Sequence, residues 1–275
     1  DDRARKLVDA WLINGDFLLT RLPGHFDFVV GNPPYVRQEL IPPALLAVYR
    51  QKYATLYDRG DLYVPFFERS LDLIGSHGRL VFICANRWMK NRYGGPLREL
   101  IAGSYHLRAY VDTEGTDAFH SEVSAYPAIT LVERTRSGPT LAAARPEIEI
   151  QYLTRLAKAL LGNAPDEALG VTAAASPSPN GAPWVFGSSV KLELLRRVEA
   201  AFPALEDVRW KVGIGVATES DKAFIAPFDE LDVESSRKLP LATTRDIATG
   251  TVQWTGLGVV NPFEDDGTLV DLAEY

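Results

Sequence analysis

The chain has 275 residues, of which 46% are hydrophobic and 24% charged, a composition typical of a globular protein with one or two domains. The single cysteine, Cys84, excludes a disulfide framework and paired-thiolate zinc sites, and the four histidines lack ligand spacing, so no metal centre is expected. No apolar run approaches the roughly 20 residues of a membrane span, and we expect a cytoplasmic protein without a membrane partner. The net charge of -7 argues against indiscriminate coating of nucleic acid, although a local basic cleft could still contact a few phosphates.

The first part of the chain alternates helix-like and strand-like segments. Residues 2–11 carry apolar side chains on one side of a charged segment, and the apolar run 26–30 predicts a buried parallel strand. Five further segments continue the alternation, with helices at 61–74 and 97–102 and strands at 79–85, 107–111 and 128–132. This alternation predicts an α/β fold with a mostly parallel sheet.

A change of composition divides the chain. Residues 163–182 are rich in Ala, Pro, Ser, Asn and Gly, which is typical of a linker. Beyond it, 188–201 has the apolar spacing of a helix, and short strand-like pieces at 213–216, 222–225 and 251–254 indicate a β-rich region. The predicted organisation is an α/β domain over 1–135, a connecting segment and linker over 136–183, and a second domain over 184–275.

The most informative segment is an apolar strand that runs directly into Asn32-Pro33-Pro34-Tyr35. Ligands of open α/β sheets bind beyond the carboxyl ends of the strands, so this tetrapeptide stands where a site is expected. Each proline fixes its φ near about -65°, lacks an N–H and pushes the preceding residue toward an extended conformation. The Asn32 side-chain oxygen and the Pro33 carbonyl therefore form two acceptors without competing backbone donors from the prolines, and an amino group matches them.

The exocyclic amine of adenine is such a group, and its lone pair is delocalised into the ring. Acceptance of both hydrogens draws the nitrogen toward a tetrahedral geometry, a stabilisation by fixed dipoles worth roughly 3 to 4 kcal/mol for one well-placed partner. Tyr35 would offer an aromatic face to the base, worth about 1 to 3 kcal/mol. The alternative is a rigid turn in which Tyr35 only fills the core.

These residues resemble the amino-group DNA methyltransferases, in particular the gamma-type adenine-N6 enzymes of restriction-modification systems. The resemblance implies a partial Rossmann-like methyltransferase sheet over 1–135 and part of a β-rich target-recognition domain over 184–275. It implies that S-adenosylmethionine donates a methyl group to one flipped adenine of double-stranded DNA. Asn32 and Pro33 would hold the adenine amine, and Tyr35 would stack on its ring.

Other segments extend the resemblance over most of the chain. Residues 13–19 resemble the segment whose acidic residue and successor bind the cofactor's adenine, which implies this role for Asp16 and Phe17 and places Pro34 against the same ring. Phe119 stands where a second aromatic ring covers the flipped base. The residues alone leave two alternatives open, in which Asp16 only stabilises a turn and Phe119 only covers the edge of the sheet.

The chain departs from the family near its start. The family's Gly-rich turn, which holds the methionine portion of the cofactor, normally precedes all of these segments, and residues 1–15 contain one glycine and no strand-turn-helix unit. We expect a fragment or a split-gene product whose missing N-terminal half is on another chain. Without most of the cofactor pocket the methyl donor cannot be oriented, so we expect no methyltransferase activity from this chain alone.

Two other functions fit the same residues. Release-factor glutamine methyltransferases share the tetrapeptide and bind a side-chain amide, but the residues after the linker have no counterpart there. A non-catalytic DNA-binding remnant or specificity module would bind duplex DNA independently of S-adenosylmethionine and of Asn32.

Overall fold

The protein folds into two compact units, Asp1–Phe202 and Pro203–Tyr275. The computed structural model describes residues 2–116, 126–162, 164–186, 189–203, 205–208, 216, 218, 220–248, 250–264 and 266–271. In these ranges no helix is both long and apolar enough to cross a bilayer.

The first unit combines a six-stranded sheet with helices, and the second contains a small three-stranded sheet. The helices of the first unit are α1 (Asp2–Trp11), α2 (Pro43–Lys52), α3 (Tyr63–Leu73), α4 (Arg87–Lys90), α5 (Gly95–Ser104), α6 (Ile150–Gly162) and α7 (Ser189–Ala201). Its strands are β1 (Phe26–Gly31), β2 (Ile74–Ala85), β3 (His106–Asp112), β4 (Pro127–Glu133), β5 (Thr140–Ala144) and β6 (Thr172–Ala174). The second unit contains α8 (Asp221–Phe224), β7 (Ile225–Pro227), β8 (Lys238–Pro240) and β9 (Leu257–Val260).

The large sheet has the strand order β1-β2-β4-β3-β5-β6. β1 is parallel to β2 and β3 is parallel to β5, whereas β4 is antiparallel to both of its neighbours and β6 is antiparallel to β5. The predicted α/β class is confirmed, but the prediction of a mostly parallel sheet is wrong. β3 and β4 follow one another in the chain and lie side by side, and antiparallel neighbours need no crossover helix.

Two hydrophobic clusters cover opposite faces of this sheet. Side chains alternate along a strand, so Leu80 and Phe82 of β2 face one side and Val81 faces the other. On the first side α3 and α5 contribute buried residues such as Phe67 and Ile101. On the second side the buried residues of α6 pack over β3, β4 and β5.

β1 departs from its predicted environment. It is parallel to β2 as expected, and Val29 packs against the first cluster. The prediction of a buried strand is wrong, because Phe26, Phe28 and Val30 are 40%, 67% and 76% exposed. These three side chains share one face of the strand, which no element of the described residues buries.

Gly181 at the end of the segment predicted as a linker, and Trp184 just after that segment, pack against the core of the first unit. The Trp184 ring is buried and lies 5.7 Å from the Trp88 ring in an edge-on arrangement. The backbone N–H of Trp184 donates to the Met89 carbonyl at 2.8 Å, and the buried Arg98 guanidinium donates to the Gly181 carbonyl at 2.6 Å. The predicted domain bounds of 1–135, 136–183 and 184–275 stay predictions.

The second unit contains strands at other positions than the sequence indicated. Helix α8 occupies most of the predicted strand 222–225, and 251–254 is irregular. Residues 213–215 of the third predicted piece lie outside the described residues. Here β7, β9 and β8 form an antiparallel sheet in that order.

A buried carboxylate organises the loop that precedes β9. Asp246 accepts hydrogen bonds from the backbone N–H and hydroxyl groups of both Thr243 and Thr255, at 2.6 to 3.0 Å. These bonds lower the pKa of Asp246 to about 2, with the Thr243 hydroxyl as the largest cause. The loop is therefore closed at its two ends by one ionised side chain.

Candidate active site

The tetrapeptide Asn32-Pro33-Pro34-Tyr35 lies beyond the carboxyl end of β1. Gly31, the last residue of β1, pairs with Phe82 of the parallel strand β2, so the loop also lies beside the carboxyl end of β2. Asn32 is exposed and Pro33 is buried, whereas Pro34 and Tyr35 are partly buried. The structure thus presents the Asn32 amide to solvent from a segment in which two prolines fix the backbone.

Tyr35 anchors this loop to the core. Its hydroxyl donates to the Ile83 carbonyl of β2 at 3.3 Å, and its ring lies 6.5 Å from the Tyr63 ring. Burial raises the pKa of Tyr35 to about 12, so the phenol stays protonated and able to donate. The partly exposed ring combines a core contact with an accessible surface, and its stacking on a base stays a prediction.

A second anchor comes from the start of α3. The Leu62 N–H donates to the Val36 carbonyl at 2.8 Å, directly after the tetrapeptide. The next residue, Tyr63, is fully buried, and its hydroxyl lies 2.7 Å from the hydroxyl of buried Tyr93. The loop is therefore held by β2 on one side and by the α3 terminus on the other.

Charged side chains surround this anchor. Burial raises the pKa of the Asp61 carboxyl, and the nearby cations Arg87 and Arg37 act in the opposite direction. Arg37 follows the tetrapeptide and Arg87 follows β2, and both are exposed. The sequence analysis missed this pair, because both look like ordinary basic residues in the sequence and only the fold brings them close to Asp61.

Asn86 is a further polar residue that the sequence analysis missed. It follows β2 and is 4% exposed. Its backbone N–H donates to the Tyr126 carbonyl at 2.8 Å, and its side-chain amide donates to the Tyr110 hydroxyl at 3.1 Å. These bonds join the carboxyl end of β2 to β3 and to the residue before β4.

Asp16 and Phe17 lie in a turn between α1 and β1. The Asp16 carboxylate accepts the Leu18 N–H at 2.8 Å and the Tyr49 hydroxyl at 2.5 Å. The Phe17 ring stacks on the Phe66 ring, with 4.9 Å between the centroids. Asp16 thus stabilises a turn, the alternative considered for it above, and its role toward a cofactor stays a prediction.

The turn and the tetrapeptide loop converge on one hydrophobic cluster. Phe17, Val36 and Phe66 all pack against the buried residues around Leu18 and Tyr49. Asp16 is partly exposed, and each carboxylate oxygen has two lone pairs, so two accepted hydrogen bonds leave acceptor capacity.

Phe119, the predicted second aromatic residue at the flipped base, lies outside the described residues. The structure places Phe17 and Val36, the residue after Tyr35, against one hydrophobic cluster, and Phe119 stays a prediction from the sequence.

Comparisons with known proteins find sequence similarity to restriction-modification methyltransferases. Residues 3–119 match the profile of the family described as Eco57I restriction-modification methylase. The chain is 58% identical over 273 residues to the type II methyltransferase M.PaeR7I of Pseudomonas aeruginosa. This alignment covers 99% of this chain and 48% of that relative. It is 50% identical over 270 residues to the type II methyltransferase M.XhoI of Xanthomonas vasicola, in an alignment that covers 97% of this chain and 50% of that relative.

A solved structure shows a weaker likeness. The methyltransferase subunit of a type I restriction-modification system from Streptococcus thermophilus has a TM-score of 0.44 and 12% identity, over 56% of this chain and 36% of that chain. The chain spans about half the length of the two curated relatives named above. Over nearly its whole length it is similar in sequence to type II methyltransferases.

Proposed function

We propose that this chain carries the base-binding part of a type II restriction-modification methyltransferase that methylates the N6 amine of adenine in duplex DNA. The observation that carries the proposal is the stiff tetrapeptide loop, which follows β1 at the carboxyl edge of the sheet with Asn32 exposed. The 58% identity to M.PaeR7I supports the assignment to DNA modification. The alternative of a release-factor glutamine methyltransferase has no comparable support.

In this proposal the loop binds the flipped adenine through two acceptors. The Asn32 side-chain oxygen and the Pro33 carbonyl accept the two amine hydrogens, which frees the nitrogen lone pair without a strong base. Tyr35, fixed through its hydroxyl to β2, stacks its exposed ring surface on the base. Phe119 would cover the opposite face of the base.

The DNA backbone would be contacted by the two cations beside the loop. Arg37 and Arg87 are exposed, and both are close enough to Asp61 to influence its ionisation. Guanidinium groups beside the tetrapeptide loop would neutralise phosphates that flank the flipped nucleotide. This local positive charge lets a chain of net charge -7 bind DNA.

The cofactor of this reaction is S-adenosylmethionine, whose sulfonium supplies an electrophilic methyl group. Asp16 would accept a hydrogen bond from the cofactor's adenine, and Phe17 and Pro34 would pack on its faces. These residues fit the adenine portion only. Because about half of M.PaeR7I has no counterpart in this chain, we propose that the chain alone does not methylate DNA.

The identity of the methylated group tests the proposal. This chain is mixed with the separately produced remainder of M.PaeR7I, labelled S-adenosylmethionine and a duplex that M.PaeR7I modifies. We expect label in N6-methyladenine after nuclease digestion and mass spectrometry, and none when either polypeptide is left out. Methylated cytosine in the duplex would refute the assignment, and so would transfer to the glutamine of a release factor in a parallel assay that contains this protein instead of DNA. Robust transfer by this chain alone would refute its proposed dependence on the remainder.

A further inference from the structure

Asp16 begins a tight turn whose backbone is closed by its own hydrogen bonds. The Leu19 and Thr20 N–H groups both donate to the Asp16 carbonyl, at 3.1 and 2.7 Å. The Arg69 guanidinium of α3 donates to the Thr20 carbonyl at 2.9 Å and holds the end of the turn. These bonds fix the backbone of the turn and leave the orientation of the Asp16 carboxylate to other contacts.

The end of helix α2 holds the middle of the turn. Leu18 is fully buried in the cluster that also contains Tyr49 and Tyr53. The Leu18 carbonyl accepts hydrogen bonds from the Tyr53 hydroxyl and from the Lys52 ammonium, the latter at 2.6 Å. This carbonyl therefore keeps a donor when one of the two is removed.

Tyr49 contacts the turn in a different way, through the carboxylate of Asp16. Its hydroxyl donates to Oδ2 of Asp16 at 2.5 Å, whereas Oδ1 accepts the Leu18 N–H at 2.8 Å. Tyr49 is buried, and burial together with the bond to Asp16 raises the pKa of its phenol, so the hydroxyl stays protonated and donates. One oxygen of the carboxylate is thus held by the backbone and the other by a buried side chain.

A carboxylate held at both oxygens is ordered before any ligand binds. Each oxygen can accept two hydrogen bonds and accepts one from the described residues, so each keeps a free lone-pair direction. Asp16 is partly exposed, which leaves these directions open to a ligand. An acceptor that is already ordered binds more tightly, because its rotamer does not have to be fixed in the binding step.

We infer that Tyr49 is a positioning residue for cofactor binding: its hydroxyl holds the Asp16 carboxylate in the orientation that accepts a hydrogen bond from the exocyclic amine of the cofactor's adenine. The inference rests on the proposed function, in which Asp16 has this role. Tyr49 acts through Asp16, so its contribution is to selectivity. A purine with an oxo group in place of the amine would present a second acceptor to the carboxylate and would be rejected.

The test compares two ligands that differ at this group. S-adenosylhomocysteine, and S-inosylhomocysteine with an oxo group in place of the amine, are titrated by calorimetry into the complex of this chain with the separately produced remainder of M.PaeR7I. The wild-type complex is expected to bind S-adenosylhomocysteine about tenfold more tightly or better. Tyr49→Phe should weaken binding of S-adenosylhomocysteine about tenfold and leave that of S-inosylhomocysteine nearly unchanged, because only the amine uses the oriented carboxylate. A merely structural role would weaken both ligands alike and leave their affinity ratio unchanged.

Tyr53→Phe is the matched control. It removes a hydroxyl from the same cluster, and Lys52 still donates to the Leu18 carbonyl, so the affinity ratio should stay at the wild-type value. A double-mutant cycle with Asp16→Ala tests whether Tyr49 acts through the carboxylate. In the Asp16→Ala background, Tyr49→Phe should change the affinity for S-adenosylhomocysteine by less than about twofold. Thermal unfolding of each variant verifies the fold.

Four results would overturn the inference. They are an unchanged affinity ratio in Tyr49→Phe, an equal loss of the ratio in Tyr53→Phe, additive losses in the cycle, and equal binding of both ligands by the wild-type complex. Any of them, together with methyl transfer to adenine in DNA, would leave the proposed function standing. A wild-type complex that binds neither ligand and transfers no methyl group would instead reject the proposed function, and the inference with it.

Discussion

The interior strands of the six-stranded sheet and its end strand β1 differ in how completely they are covered. At β3 and β5, Ala109 and Leu141 are buried together with Leu156 of α6. At β1, one face packs on the core through Val29, and the other face exposes Phe28 and Val30. Apolar strand residues thus form a covered core in the interior of the sheet and an open surface at β1. Whether a strand is buried depends on the elements that pack against it, such as α6 on β3 and β5, as well as on its own sequence.

The largest expected effect is on the free energy of unfolding, and it distinguishes the buried core from the exposed face of β1. Trp88 is fully buried between the rings of Phe67 and Trp184, with centroids at 5.2 and 5.7 Å. We expect Trp88→Ala to lower the free energy of unfolding by about 3 to 5 kcal/mol, through lost burial and a cavity. Phe28→Ala should change it by less than about 0.5 kcal/mol in the chain alone. Urea unfolding of both variants measures the difference, and equal effects would break the comparison.

The second-largest expected effect is on the salt dependence of DNA binding, and it concerns the carboxyl edge of the six-stranded sheet. The double substitution Arg37→Ala and Arg87→Ala should weaken duplex binding. It should also reduce the magnitude of the negative slope of log K against log salt by about 2, because each arginine would contact one phosphate. The measurement is a fluorescence anisotropy titration of the reconstituted complex at several salt concentrations. Arg155→Ala, at an exposed position of α6, is the control, and an equal change in slope there would reject the assignment.

Acid should weaken the second unit through Asp246. Hydrogen bonds from Thr243 and Thr255 lower the pKa of this carboxyl to about 2, below the ordinary value of roughly 3.9. A lowered native pKa stabilises the fold above the ordinary value, and this contribution disappears as the pH falls toward about 2. The difference in urea midpoint between wild type and Asp246→Asn should therefore shrink between about pH 5 and pH 2. A difference in urea midpoint between wild type and Asp246→Asn that stays constant between about pH 5 and pH 2 would contradict the account.

The smallest effect concerns the anchor of the tetrapeptide. Tyr35→Phe removes the hydroxyl that donates to Ile83 but keeps the ring, so a loss of stability of about 0.5 to 1.5 kcal/mol is expected. Methyl transfer by the reconstituted enzyme should fall by less than tenfold for Tyr35→Phe and much further for Tyr35→Ala, which loses the stacking face. Equal activity of the two variants would assign Tyr35 to the core alone.

Much of the first unit could be predicted from the sequence, because its apolar periodicities are long. The segments at α3, β2, α5, β3 and β4 carry them, and the structure contains those elements. The direction of β4 could not be predicted, since a strand pattern contains no direction. The exposure of β1 could not be predicted either, because Phe28 and Val30 have the composition of covered positions.

The second unit and the site show a different limit. β7 and β8 have three residues each, too few for a periodic signal, and the loop 243–255 depends on the nonlocal bonds of Asp246. The tetrapeptide was recognisable because its composition is unusual. Asn86 and Arg87 look like ordinary residues in the sequence, and only the fold brings them to the carboxyl edge of the sheet.

The rate of methyl transfer by an Asn32 variant tests the central claim most directly. In the reconstituted enzyme, Asn32→Ala is expected to lower kcat by about 100- to 1000-fold, because one fixed acceptor of the adenine amine is lost in the transition state. DNA affinity should change little, and Gln151→Ala, at an exposed position of α6, should keep the wild-type rate. Single-turnover transfer of labelled methyl groups measures the rate. A wild-type rate for Asn32→Ala would contradict the account.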